Sequence, residues 1–255
     1  MVGNVNIVRF NSLESTNKYC EALDLSQVED FTCFWALTQT AGIGQQGNHW
    51  EAQPGKNLTF SLVLHPSFLS AERQFKLTQA LTLALTDFLA HFVEKSQLFI
   101  KWPNDIYVGG DKICGILVSN RLKAYTLATA ICGIGFNVNQ RLFPEWVPNP
   151  TSLSLLTGSE YSLETTLHQL LHYFECRYRQ LKEGSDFGGE YLSLLLNLNS
   201  PAQYYYQGRE IMAMITGVDD FGRLLLVDEA GNKLCCGMKE ISLIQRNSIR
   251  IPTAR

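Results

Sequence analysis

The sequence predicts an α+β fold: a mixed, mostly antiparallel sheet packed with helices, followed by a small C-terminal β-barrel. Three observations predict it. Short strand-like runs recur between residues 5 and 136. Two long segments, 70–93 and 165–181, carry apolar residues at helical spacing. From about Pro201 onward, short apolar runs are separated by turn residues at regular intervals, as in a small all-β unit.

Taken in order, residues 5–10 alternate apolar and polar like a short strand, and residues 17–25 read as a helix capped by Ser15 or Thr16. Residues 31–39 are β-branched and aromatic enough for a second strand, and residues 57–65 alternate again. Between them, residues 40–55 hold Gly42, Gly44, Gly47 and Gly55 and read as a glycine-rich loop. Residues 70–93 form the clearest helix, because Leu77, Leu81, Leu85 and Phe88 share one face. Short strands 98–101 and 106–108 flank Trp102-Pro103-Asn104, Gly109-Gly110 makes a hairpin turn, and strands 112–119 and 125–136 follow. The barrel strands are expected at 210–218, 224–227, 233–236 and 241–244, with a division into units 1–202 and 203–255.

Composition narrows the function classes. The chain has 255 residues, 45% hydrophobic and 18% charged, enough for a sizeable core. Its formal net charge of −3 gives no basic field, so no nucleic-acid partner is expected. No window approaches the roughly 20 apolar residues of a membrane span, and residues 1–10 lack an apolar signal core. Seven cysteines without CxxC or Cys/His spacing read as free thiols, so the expected location is the cytoplasm.

Five segments could carry chemistry. The loop from Thr38 to Trp50 lets backbone N–H groups approach an anion, although glycine-rich turns are more often structural. It is neither a Walker A loop nor a dinucleotide fingerprint, since no GK[ST] follows and a strand stands where the helix should open. Lys101-Trp102-Pro103-Asn104-Asp105 places a cation at a strand end, where it could face a carboxylate or phosphate, or simply precede a turn. In Gly110–Leu117, Lys112 offers a second cation, and Gly115 would let a flat ligand lie against the backbone; a tight hairpin with a surface lysine is the alternative. Asn137 and Asn139 offer amides to a base or ribose, or are turn residues. Ser15-Thr16-Asn17 offers neutral hydrogen-bonding groups for an uncharged polar ring, or a helix cap.

The ordered set decides between these readings. STN, QTAGIGQQGNHW, KWPND, GDKICGILV and GIGFNVN together resemble the biotin–protein ligase family, over roughly residues 11–157. The resemblance implies a class II aminoacyl-tRNA-synthetase/biotin-ligase-like fold with an SH3-like C-terminal barrel. It also implies a ligase that uses ATP to make biotinyl-AMP and passes biotin to a lysine of a biotin carboxyl carrier protein. On this likeness Ser15, Thr16, Asn17, Gln39, Gly42, Ile43 and Gly115 contact biotin, and Lys101 is the catalytic cation near the biotin carboxylate and the α-phosphate. Gly44, Gln45, Gln46, Gly47, Trp50, Asn104, Lys112 and Asn137 are the implied ATP contacts, and Lys112 also borders the biotin channel. Mg²⁺ is implied with ATP, Asp105 being the nearest carboxylate.

The family loop normally carries arginines where this chain has Ile43, Gln46 and, against some members, Gln45. Each lost charge-assisted contact is worth about 1.5–3 kcal/mol, so a weakly active or non-catalytic biotin-binding regulator is the alternative. A lipoate or octanoate transferase is a further one. The first strand begins within ten residues of Met1, which points to the form without a DNA-binding domain. A homodimer is left open.

Overall fold

The computed structural model describes residues 5–244, without the side chain of Gln46. A seven-stranded sheet runs in the order β1-β2-β3-β7-β6-β5-β4. Its strands are β1 (Ile7–Phe10), β2 (Thr32–Ala36), β3 (Leu58–Leu64), β4 (Leu98–Lys101), β5 (Asp105–Val108), β6 (Asp111–Lys123) and β7 (Thr126–Phe136). Only β1 and β2 pair in parallel; every other neighbour in this sheet is antiparallel. The mixed, mostly antiparallel sheet expected from the sequence is therefore present. Gly109-Gly110 turns the β5–β6 hairpin as expected, with Gly109 at a φ of +69°.

Among the described residues the five α-helices are α1 (Thr16–Glu21), α2 (Phe75–Leu89), α3 (Leu153–Thr157), α4 (Leu163–Lys182) and α5 (Gly188–Ser193). Two differ from expectation. The helix expected over 17–25 ends at Glu21, because the Asp24 carboxylate accepts from Ser26 N at 3.1 Å and caps a separate 3₁₀ turn, Leu25–Gln27. The helix expected over 70–93 is preceded by a 3₁₀ turn, Ala71–Arg73, and is regular only over α2. Its predicted face is correct: Leu77, Leu81, Leu85 and Phe88 are buried.

Alternation along the strands gives the sheet two different faces. On one, Phe60 of β3 meets Phe174 of α4 and Phe136 of β7 meets Phe88 of α2, with ring centroids 6.3 and 5.9 Å apart. On the other, Ser61 stands opposite Gly133 and Thr59 opposite Gly135, and these glycines are in turn opposite Leu117 and Gly115. That face is covered by α1 and holds the cavity described below.

Arg177 of α4 ties the helical layer together. It donates two hydrogen bonds to Asp87 of α2 and two to Glu190 of α5, at 2.6–3.0 Å, with its own side chain only 13% exposed. Arg177→Ala strands both carboxylates and should lower stability by about 2–4 kcal/mol, read as a shift in the urea midpoint.

A second, five-stranded antiparallel sheet has the order β11-β10-β9-β8-β12. Its strands are β8 (Pro201–Tyr206), β9 (Arg209–Val218), β10 (Leu224–Asp228), β11 (Lys233–Cys236) and β12 (Ile241–Leu243). A division after residue 202 falls inside β8, and residues 245–255 of the expected second unit lie outside the described residues. Among the described residues no helix is long and apolar enough to cross a membrane.

Candidate active site

The glycines opposite Ser61 and Thr59 make a strip of sheet without side chains, and a cavity of about 350 Å³ stands on it. Both sheets contribute walls: Tyr204, Leu224, Met238, Ile241 and Leu243 of the second unit line it together with Lys101 and Asp105 of the first.

At one end, Ser15, Thr16 and Asn17 open α1 with their side chains buried. Gln39 sits where the chain leaves β2, bridged to Leu13, and its Oε1 accepts from Thr16 N at 2.7 Å and Thr16 Oγ1 at 3.1 Å. Ser61 Oγ lies 2.7 Å from Thr16 Oγ1 and 2.5 Å from Asn17 Oδ1. With that oxygen engaged, Asn17 Nδ2 is a buried donor with no partner. A buried amide left in this state is worth about 1–3 kcal/mol to any acceptor that reaches it. The site thus presents a fixed, neutral set of hydrogen-bonding groups.

At the centre, Lys101 ends β4 and pairs in register with Asp105, the first residue of β5. The three-residue turn between them is held from three sides. Tyr191 of α5 donates to Pro103 O at 2.8 Å, Trp102 Nε1 donates to Gly222 O of the second unit at 3.0 Å, and Asn104 Nδ2 donates to Ile116 O of β6. Such bracing fixes where an ammonium can point before any ligand arrives. Lys101 Nζ lies 5.8 Å from the Tyr107 ring. Burial pushes its pKa below the ordinary lysine value; Asp105 pulls it back up, and Lys112 pushes it down again. Lys112 itself is spent on Asp105 Oδ2 at 2.6 Å and lies 5.5 Å from the Trp50 ring.

At the other end the glycine-rich loop folds as a hairpin about a 3₁₀ turn, Gln45–Gly47, with Ile43 bridged to His49 and Trp50 N donating to Gly42 O at 3.0 Å. The Trp50 indole lies against the backbone of Gly115 and Gly135; a Cβ on Gly135 would fall inside the ring. Where the sequence suggested a flat ligand over Gly115, the chain's own tryptophan lies there. Gln45 Nε2 approaches Met238 Sδ at 3.8 Å, joining the loop to the second unit.

Twelve of the residues singled out in the sequence meet in this one cavity. They are Ser15, Thr16, Asn17 and Gln39 at the neutral end, Ile43, Gly44, Gln45 and Trp50 on the loop, and Lys101, Asp105, Lys112 and Gly115 between them. Gly42, Gly47, Asn104 and Asn137 are not part of its lining, and the side chain of Gln46 lies outside the described residues. Gly42 shapes the loop, since a Cβ there would come within 2.7 Å of Trp50 O. Asn137 is buried, with Nδ2 donating to Thr151 O at 3.0 Å, and Asn139 exchanges hydrogen bonds with the Tyr161 backbone. Ser61, Gly133, Gly135 and the wall from the second unit were not foreseen. The one available signal was Gly133-Ile134-Gly135 inside a buried strand, where glycine often marks a close approach.

The family model described as the biotin/lipoate A/B protein ligase family matches residues 9–137. Among curated proteins, the bifunctional ligase/repressor BirA of Bacillus subtilis is 30% identical over 236 residues, covering 89% of this chain and 71% of that protein. The biotin–[acetyl-CoA-carboxylase] ligase of Mycobacterium tuberculosis is 28% identical over 193 residues, 74% of this chain and 70% of that one. Among solved structures, the biotin protein ligase from Aquifex aeolicus in complex with biotin and ATP superposes with a TM-score of 0.78 at 28% identity, covering 94% of this chain and 99% of that one. The fold, the family model and these relatives agree: this chain belongs to the biotin/lipoate A/B protein ligase family, as a biotin protein ligase.

Proposed function

We propose that the cavity binds biotin and ATP side by side, joins them as biotinyl-AMP, and delivers biotin to a lysine of a biotin carboxyl carrier protein. The observation that carries this reading is one braced ammonium, Lys101, in the same cavity as a neutral ring-binding set and a tryptophan-bearing loop. Biotin's ureido ring needs uncharged donors and acceptors, which Ser15, Thr16, Asn17 and Gln39 provide; the orphaned Asn17 Nδ2 suits the ureido oxygen. The tail then runs past Asn17 and Trp50, which lie over Gly133 and Gly135, and brings its carboxylate toward Lys101.

In the first step the carboxylate oxygen attacks the α-phosphorus of ATP and pyrophosphate leaves. Lys101 offsets the negative charge that both reactants bring together and that grows on the phosphoryl oxygens. In the second step the amine of the carrier lysine attacks the acyl carbon and AMP leaves. Trp50, Gly44 and Gln45 belong to the nucleotide side, and the loop with the second unit keeps water from the acyl adenylate. The second unit is read as a small SH3-like barrel whose wall closes the site. Mg²⁺ enters as part of the ATP substrate. Among the described residues no cluster of three His, Cys, Asp or Glu groups could hold a metal, and Asp105 has one oxygen on Lys112, leaving Oδ1 for such an ion. The free cysteines suit a reducing compartment such as the cytoplasm.

The test is incubation with biotin, ATP, Mg²⁺ and a carrier domain, with mass detection of a biotinylated lysine. Biotin binding without adenylate would favour the regulator instead, and turnover of lipoate but not biotin the transferase. A pH profile probes Lys101 directly. Because its pKa is lowered, its proton is lost as pH rises through a value below 10.5, the ordinary lysine figure. Single-turnover adenylation should fall along that alkaline limb, and Lys101→Arg should remove the limb from whatever activity it retains.

A further inference from the structure

The turn between β9 and β10, Asp219-Asp220-Phe221-Gly222-Arg223, is held in one shape by its own residues. Asp219 Oδ1 accepts from Phe221 N at 3.1 Å and Arg223 N at 2.8 Å, and Oδ2 accepts from Arg223 Nε at 2.7 Å. Gly222 N donates to Asp219 O at 2.9 Å, and Gly222 holds a φ of +84°, which a residue without a Cβ adopts freely. Phe221 at the tip is exposed, whereas Gly222 is buried. The turn therefore presents one carbonyl, that of Gly222, in a fixed orientation.

That carbonyl accepts from Trp102 Nε1 at 3.0 Å. Gly222 also lies so close to Phe75, the first residue of α2, that a Cβ would run into the ring. The Phe75 ring meets Tyr191 of α5 edge-on, centroids 5.4 Å apart at 85°, and Tyr191 donates to Pro103 O at 2.8 Å. Since Trp102 and Pro103 are neighbours in the chain, these contacts close on themselves: Gly222, Trp102, Pro103, Tyr191, Phe75 and back to Gly222. No member of such a circuit can shift without straining the contact on its other side. Lys101, which lines the cavity, is bonded directly to Trp102; Gly222 is not part of the lining.

We propose that Gly222 is a positioning residue for Lys101: acting through Trp102, it lets the second unit set the rate of adenylate formation. This rests on the role given to Lys101 above. An ammonium displaced by about 1 Å from the atoms that are joining loses up to about a hundredfold in rate. Its charge still attracts both anions from there, so the loss falls on turnover rather than on binding. The turn at residues 219–223 thus does more than stand behind the cavity wall.

The experiment measures biotin-dependent pyrophosphate exchange with the full chain. Gly222→Ala forces the turn off Phe75. Trp102→Phe deletes the donor and leaves the turn unstrained, so it carries the test if Gly222→Ala does not fold. Each should lower kcat about ten- to a hundredfold, with the biotin and ATP KM values changed by less than about twofold. Phe221→Ala alters the same turn only at its exposed tip and should leave kcat as it is. In a chain that already carries Lys101→Ala, Gly222→Ala or Trp102→Phe should cost little further rate, because the group being positioned is gone. Unchanged kcat in both single variants overturns the proposal. So does an equal loss with and without Lys101, which would mark a contact serving only the fold. If Lys101→Ala itself keeps full exchange, the reading of Lys101 fails; if it loses exchange while the other two do not, only the positioning role of Gly222 fails.

Discussion

Lys101→Ala should lower biotin-dependent pyrophosphate exchange by about a hundred- to a thousandfold, the size of losing a preorganised charge at the reacting centre. The loss should appear mainly in kcat, because the charge that Lys101 offsets is greatest when carboxylate and α-phosphorus are joining. Stability should not fall with it. Burial depresses the Lys101 pKa, so the charged form is disfavoured in the folded chain, and an alanine relieves that cost while losing some packing of the lysine stem. An unchanged or slightly raised melting temperature with lost exchange is therefore the expected pair of results. Exchange at the unaltered rate would remove Lys101 from the chemistry, and collapse of the fold would show that it serves structure.

How much of this was legible in the sequence depended on distance along the chain. Leu77, Leu81, Leu85 and Phe88 announced α2 because helical periodicity is local, and Gly109-Gly110 announced its hairpin for the same reason. Lys101 was legible as a cation at a strand end. What holds it was not, because Tyr191 and Gly222 are long-range partners whose residue types advertise nothing. Asn104 and Asn137 were legible only in part. Their neighbours in sequence suggested ligand contacts; their amide nitrogens are spent on the carbonyls of Ile116 and Thr151, while each Oδ1 is buried without a hydrogen-bond partner. Each ties one segment to another, a use of asparagine that has no local signature. Ser61 looked like filler in an apolar strand until the register placed it beside Thr16 and Asn17. The wall formed by Tyr204, Leu224 and Ile241 was hidden for a further reason: a small all-β unit gives no hint in its own pattern of which face meets a neighbour.

The floor of the cavity allows its two halves to be separated by single methyl groups. Gly133 and Gly135 stand two residues apart on β7 and face the same side. A Cβ at Gly133 would run into the Asn17 amide, whose Cγ and Nδ2 would both lie 2.7 Å away, whereas a Cβ at Gly135 would run into the Trp50 indole. Asn17 has little room to yield, being buried and held by Ser61 Oγ at 2.5 Å. Gly133→Ala should therefore disturb the ring-binding set and raise the biotin KM about ten- to a hundredfold, one displaced hydrogen-bonding group in a buried site. Its ATP KM should change little. Gly135→Ala should do the reverse: Trp50 must leave the sheet, the loop moves with it, and the ATP KM rises while biotin binding is largely kept. Each change should also cost about 1–3 kcal/mol of stability from overpacking, so KM values must be compared at a temperature where both variants are folded. If the two methyl groups exchanged their effects, or each raised both KM values alike, the assignment of biotin to the α1 end and nucleotide to the loop end would be wrong, even for an enzyme that biotinylates its carrier normally.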